Sequence, residues 1–307
     1  MFDHFVWSVL TVPLVVVALV ALLADRLPPS PAARVLAWSA AGAALASLLN
    51  VAAFTIKAVA EVPLVAGHLG WSHQIVIADT GHVRWVPWLC ALWTVAAAVA
   101  AAKVVTRYRR GLAWARRFTP TAGPDGVVEV ASDEIEAFAV PGRPGHVVVT
   151  TGMRRLLTEE QYAALLAHER AHLDHDHFRL MLLSELAGAV HPALRWVCGQ
   201  VGYLVERAAD EQAAATVGDR RILAQAIGSA ALAARGRPGL RLGPLASFAR
   251  PRRPGVIPRR VAALLRQARR ARSWPAAVPA VMAVSSLVWT GEALYDLVEL
   301  LVLATGR

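Results

Sequence analysis

Four stretches of the chain carry no charged residue: 5–24, 35–56, 85–102 and 273–291. About twenty apolar residues in a helix cross a hydrocarbon layer roughly 30 Å thick, so each stretch is predicted to span a membrane. The first is not a secretory signal, because Asp3 and His4 stand where such a signal needs a positive cluster. Between the third and fourth stretches the period changes. Val127–Ala131, Glu136–Val140 and His146–Thr150 are short runs rich in β-branched residues and predict strands, with Pro141–Gly145 as the loop of a hairpin. Thr158 followed by Gln161 reads as a capping box, with Leu157 and Tyr162 as its hydrophobic staple, and predicts a helix from Glu159 onward. Leu180–Val205 is apolar but interrupted by Glu185, His191-Pro192 and Arg195, which predicts two packed helices at the membrane surface rather than a fifth span.

Composition agrees with a membrane protein: 56% of residues are hydrophobic, more than one soluble core requires. The net charge of +10 is unevenly placed. Lys103, Arg107, Arg109, Arg110, Arg116 and Arg117 follow the third span, and nine arginines with no acid lie in 250–272, before the fourth. Basic residues near span ends are retained in the cytoplasm, so the segment between spans three and four is predicted to be cytoplasmic and the N-terminus outside. The arginines flank spans and lack interleaved aromatics, so contact with anionic lipid is expected and nucleic-acid binding is not. Arg250–Pro254 reads as a basic connector and Pro258–Arg272 as an amphipathic helix on the bilayer. Glu292, Asp296 and Glu299 are expected in an amphipathic tail outside the membrane.

The predicted helix from Glu159 contains His168-Glu169-Arg170-Ala171-His172. Four residues make about one helical turn, so both imidazoles leave one face and can grip a single cation. Glu169 projects to the side of that pair, toward an open coordination position, where a general base belongs. This is the HExxH arrangement of a zinc hydrolase. Catalytic zinc usually takes three protein ligands and leaves one position to water. A third histidine six residues beyond the second is absent, since Phe178 stands there. Glu206 offers the alternative from a second helix, with Asp210 one turn later on the same side.

Together with Phe138–Gly142 and Val147–Gly152, the stretches HERAH and ERAADE resemble the membrane metallopeptidases of the BlaR/MecR antirepressor type. More remotely they are similar to the HtpX and CAAX prenyl protease group, which shares HExxH with a downstream ExxxD. The resemblance covers roughly residues 138–219 and the membrane layout. It implies His168, His172 and Glu206 as zinc ligands, Glu169 as catalytic base and Asp210 as the partner that orients a ligand histidine. It also implies a protein or peptide substrate, a cytoplasmic transcriptional repressor among the candidates. Beta-lactam receptors of this type carry a penicillin-binding sensor domain that has no counterpart after the fourth stretch here, so antibiotic sensing is not expected.

The expectation is a mainly α membrane protein, four transmembrane helices with an inserted α+β zincin-like metalloprotease domain. Residues 1–103 form the first three spans, 104–272 the cytoplasmic zinc metallopeptidase domain with its basic connector in 250–272, and 273–307 the last span and a short extracytoplasmic tail. One catalytic zinc ion is its cofactor. A non-catalytic zinc-binding scaffold or signal receptor is the alternative; it needs a fourth protein ligand, for which Asp210 or His175 is available, and the retained Glu169 argues against it. Tyr203 and His175 are candidate oxyanion donors. Asp174, His175, Asp176 and His177 read as an exposed helix end, and Cys90 and Cys198 as packing residues.

Overall fold

In the computed structural model the described residues are 2–24, 26–78, 83, 85–117, 123, 125–233, 255–266 and 277–305. Helix α1 runs through Phe2–Phe5, a π-helical stretch Val6–Thr11, and Val12–Leu23; α2 is Pro29–Ala60. Two short helices, α3 (Pro63–Leu69) and α4 (His73–Ala78), lead to α5 (Val86–Ala115). Three helices are long and apolar enough to cross a membrane, Phe2–Leu22, Pro29–Ala60 and Val86–Ala115, with α2 the most buried and α5 the least. Low burial suits α5 to a position facing lipid. The fourth uncharged stretch falls largely in α12 (Ala277–Ala304), which does not stop at the end of that stretch but continues as helix through Glu292, Asp296 and Glu299. Glu292 and Asp296 there face His4 of α1.

α2 is the axis of the bundle because its packing positions are small: Ala37, Ala40 and Ala43 are fully buried. Small residues let helix backbones approach closely in an apolar medium. A methyl group on Gly42 would lie 3.2 Å from the Ala283 side chain of α12. Hydroxyls and amides then lock the contacts. Ser47 donates to the Ser8 carbonyl (2.7 Å) and Asn50 to Thr290 (2.8 Å). Gly42 meets residue 283, Asn50 meets 290 and Ala60 clusters with Ala304, so α12 runs in the same direction as α2. The π-helical stretch of α1 has a use here. Looser winding makes its carbonyls available to side-chain donors: that of Val6 accepts from Thr11 of the same stretch, and those of Ser8 and Val9 from Ser47 and His191 outside it.

After α5 the chain forms β1 (Val127–Val130), β2 (Ala137–Val140) and β3 (His146–Thr150). The strand order is β1-β3-β2, with β1 parallel and β2 antiparallel to β3. All five residues of β3 are buried. Alternation sends Val148 into a cluster with Phe138 and Trp114 of α5, and Val147 and Val149 into one with Met153, Leu157 and Leu165. The sheet is thereby held between the end of a membrane helix and the helix that carries HExxH. The turn into α6 (Thr151–Leu156) needs glycine: a Cβ on Gly152 would sit 2.5 Å from the carbonyl oxygens of Asp133 and Glu134.

Next come α7 (Glu159–Asp174), α8 (His177–Val190), a 3-10 turn Pro192–Leu194, α9 (Arg195–Val217), α10 (Arg220–Ala233) and α11 (Val256–Leu265). The predicted break at His191-Pro192 is present, and the two helices it joins pack closely together as predicted. The hairpin of α8 and α9 enters the bundle. Leu180, Ala187, Leu194, Val197 and Val201 share one core with Val12, Val16 and Ala40. At its tip His191 donates to the Val9 carbonyl (2.8 Å) and Trp93 to that of Val190 (3.0 Å). Lower down, Glu185 pairs with Arg107. The buried Glu185 carboxylate is thus met by a partly exposed arginine, as a buried charge needs a partner. The basic connector 250–254, and residues 267–272 of the predicted amphipathic helix, lie outside the described residues.

Candidate metal centre

The HExxH helix forms where its cap predicts. The Thr158 hydroxyl accepts from the Gln161 N–H (3.3 Å) and the Gln161 side chain accepts from the Thr158 N–H (3.2 Å). α7 packs against α9, and each presents polar residues one turn apart, His168 and His172 facing Glu206 and Asp210. The two Nε2 atoms lie 3.2 Å apart, and Glu206 reaches both, Oε2 to His168 at 3.7 Å and Oε1 to His172 at 3.7 Å. All three are buried and form the one group of potential metal ligands among the described residues.

The set fits zinc. Two imidazole nitrogens and a carboxylate oxygen are a known catalytic donor set, and ligands about 2.1 Å from a tetrahedral ion lie roughly 3.4 Å from each other. The 3.2–3.7 Å separations bracket that value. Glu169 is not among the three. It is half-buried on the wall of the same cavity, interacts with the backbone of Ala139 in β2, and has its carboxyl pushed up by burial.

The outer contacts divide between the histidines. Asp210 places Oδ1 3.0 Å from His168 Nδ1, although the ring N–H is not aligned on it. His177 places Nδ1 3.1 Å from Nδ1 of His172. His177 is thus no part of an exposed helix end; it is 2% exposed and lies directly behind a candidate ligand. Asp174 and Asp176 are exposed as expected, and His175 is half-buried. Tyr203, expected as a possible donor to the reaction centre, instead stacks beneath Arg259 at 4.2 Å, and neither it nor His175 lines the cavity.

A further residue escaped the sequence. Arg260 of α11 is buried, donates through Nε and Nη2 to both Asp210 oxygens (2.8 and 2.7 Å), and sets Nη1 2.7 Å from Glu206 Oε2. One guanidinium therefore fixes both inward carboxylates of α9. Read along the chain it was one arginine among nine, and only the apolar period of its helix separated it from the others.

Charge follows from this enclosure. Burial works against a charged His168, yet Asp210 and Glu206 outweigh it and push the ring up to about 10. His172 is lowered to about 3, burial being the main cause. Burial would raise Glu206 and Asp210, but Arg260 and His168 hold both well below the usual carboxylate range. The two carboxylates thus favour the charged form of His168, while burial favours the neutral form of His172.

Residues 100–237 match the model of peptidase family M48. That range takes in His168, Glu169, His172, Glu206 and Asp210, and ends before Arg260. No curated protein and no solved structure matches the chain.

Proposed function

We propose that the chain, whose residues 100–237 match peptidase family M48 and which packs long apolar helices beside them, is a membrane zinc metalloendopeptidase that cleaves proteins presented at the cytoplasmic face of the bilayer. The observation that carries this is the meeting of His168, His172 and Glu206 with Glu169 beside them. In this reading those three hold the metal, Glu169 is the catalytic base, and Asp210 keeps His168 in the ligating orientation. Zinc bound there supplies Lewis acidity toward the scissile carbonyl and the attacking water. Glu169 takes the proton from that water and returns it to the nitrogen of the departing chain. Its raised pKa suits both halves of the task. β2 lies at the edge of the sheet, and Ala137 and Phe138 line the cavity. A substrate backbone pairing with Ala137–Val140 as an added strand would lie across the metal. The antirepressor resemblance suggests a transcriptional repressor as one such substrate.

Purified protein in lipid nanodiscs should cleave an unfolded protein such as a casein, lose that activity with 1,10-phenanthroline, and regain it when zinc is restored. Cleavage indifferent to the chelator would contradict a metal-dependent reaction.

We also propose α12 as a fourth span, with domain limits near 103 and 272 and the N-terminus outside. The basic residues in the last turns of α5 and just after it, and the matching directions of α2 and α12, support this. A cysteine at Gly67, where added atoms meet open space, should react with an impermeant thiol reagent on intact cells. One at Glu160 should react only after lysis. Labelling of Glu160→Cys in intact cells would reverse the orientation.

A further inference from the structure

The cavity at the metal centre extends past the ligands into an apolar recess, and we propose that this recess holds an aliphatic or aromatic side chain adjoining the scissile bond, with Ala226 and Ala230 of α10 setting its size. The proposal rests on the peptidase reading above. The cavity is about 240 Å³, below the roughly 300–1,000 Å³ of sites that enclose a whole small molecule. Such a volume suits a side chain rather than a free ligand.

Its polar lining, Glu136 apart, is the site itself: His168, Glu169, His172, Glu206 and Arg260. The remainder is apolar, and its longest wall is α10. Leu223, Ala226, Ile227 and Ala230 recur at i, i+3, i+4 and i+7, one face of a helix turned to the cavity. Leucine and isoleucine stand at two of these positions. At the other two, one turn apart, alanines leave room that a longer side chain would fill. Opposite stand Leu157 of the turn before α7 and Leu165 on α7, one turn before His168. A residue in the recess is therefore held by the same helix that carries the ligands, beside the β2 edge proposed for the substrate backbone. Charged side chains are disfavoured against the α10 wall, where the lining is aliphatic.

The recess predicts a substrate class, polypeptides with Leu, Ile, Met or Phe next to the cleaved bond. A difference of one or two methylenes in an apolar pocket changes kcat/KM by about 10- to 200-fold. The test uses the full chain in nanodiscs with an equimolar peptide library, the cleaved bonds being located by mass spectrometry. Wild type should show those residues at one position flanking the bond. Ala230→Phe, which fills the recess, should lower kcat/KM for a leucine peptide by about 10-fold or more relative to its alanine counterpart, with zinc content unchanged. Ile227→Ala, which widens it, should shift the preference toward Phe and Trp. Binding of the same two peptides to Glu169→Gln protein, with and without Ala230→Phe, supplies a readout that needs no turnover. Cleavage without apolar bias, or a profile indifferent to both α10 substitutions, overturns the recess and leaves the peptidase standing. Selective binding without cleavage by zinc-loaded wild type overturns the peptidase and leaves the recess standing.

Discussion

Glu169→Gln is expected to reduce cleavage by about 10²- to 10⁴-fold, the range a positioned general base contributes, while the protein keeps its zinc. The substitution exchanges one carboxylate oxygen for an amide nitrogen of similar size. It leaves His168, His172 and Glu206 untouched, and the remaining oxygen can still accept from the Ala139 backbone. What it removes is the lone pair that receives a proton from the attacking water. Retained zinc with lost turnover separates a base from a ligand, and also separates an enzyme from a zinc-binding scaffold, for which Glu169 has no role. Metal content and kcat/KM measured on one preparation give both readings. Unchanged turnover would strip Glu169 of its assignment.

The second large effect is expected at Arg260, a residue outside the matched 100–237 segment. Arg260→Met keeps much of the side-chain volume but leaves Asp210 and Glu206 facing each other without their shared cation. Breaking a buried ion pair from one side costs about 3–5 kcal/mol, because the abandoned charge stays buried. Thermal melting of the metal-free protein in detergent should show a corresponding loss. Zinc, which neutralises part of the same charge and binds only the folded site, should recover more stability in the variant than in wild type. Arg260→Lys should recover little, since a single ammonium cannot reproduce the planar fork that reaches both Asp210 oxygens and Glu206 at once. A metal-free Arg260→Met protein that melts with wild type would show that the carboxylates are held by something else.

Features that depend on neighbouring residues were legible in the chain. The Thr158–Gln161 cap, the three strands with their hairpin and the HExxH face of α7 are all local, and each formed within a residue or two of its expected limits. Glu206 was legible by its distance after the motif. The places where the sequence misled are those where tertiary contact decides. Glu185 and His191 argued against burial of the α8–α9 hairpin until Arg107 and the Val9 carbonyl supplied partners from helices far away in sequence. His177 reads as one polar residue in a run of four, and only the turn at Asp176, with its positive φ of 51°, swings it behind His172. Arg260 belongs to a stretch of nine arginines, and the apolar period of its short helix is the one local mark of the residue that turns inward.

The central claim is that a single zinc ion rests on two neighbouring imidazoles and one distant carboxylate. Zinc content of purified wild type and Glu206→Gln protein, measured after dialysis against a buffered zinc concentration, tests it most directly. The prediction is one zinc per wild-type chain and little or none in the variant, with a matched loss of cleavage. A Glu206→Gln protein that binds one zinc as tightly as wild type would contradict it.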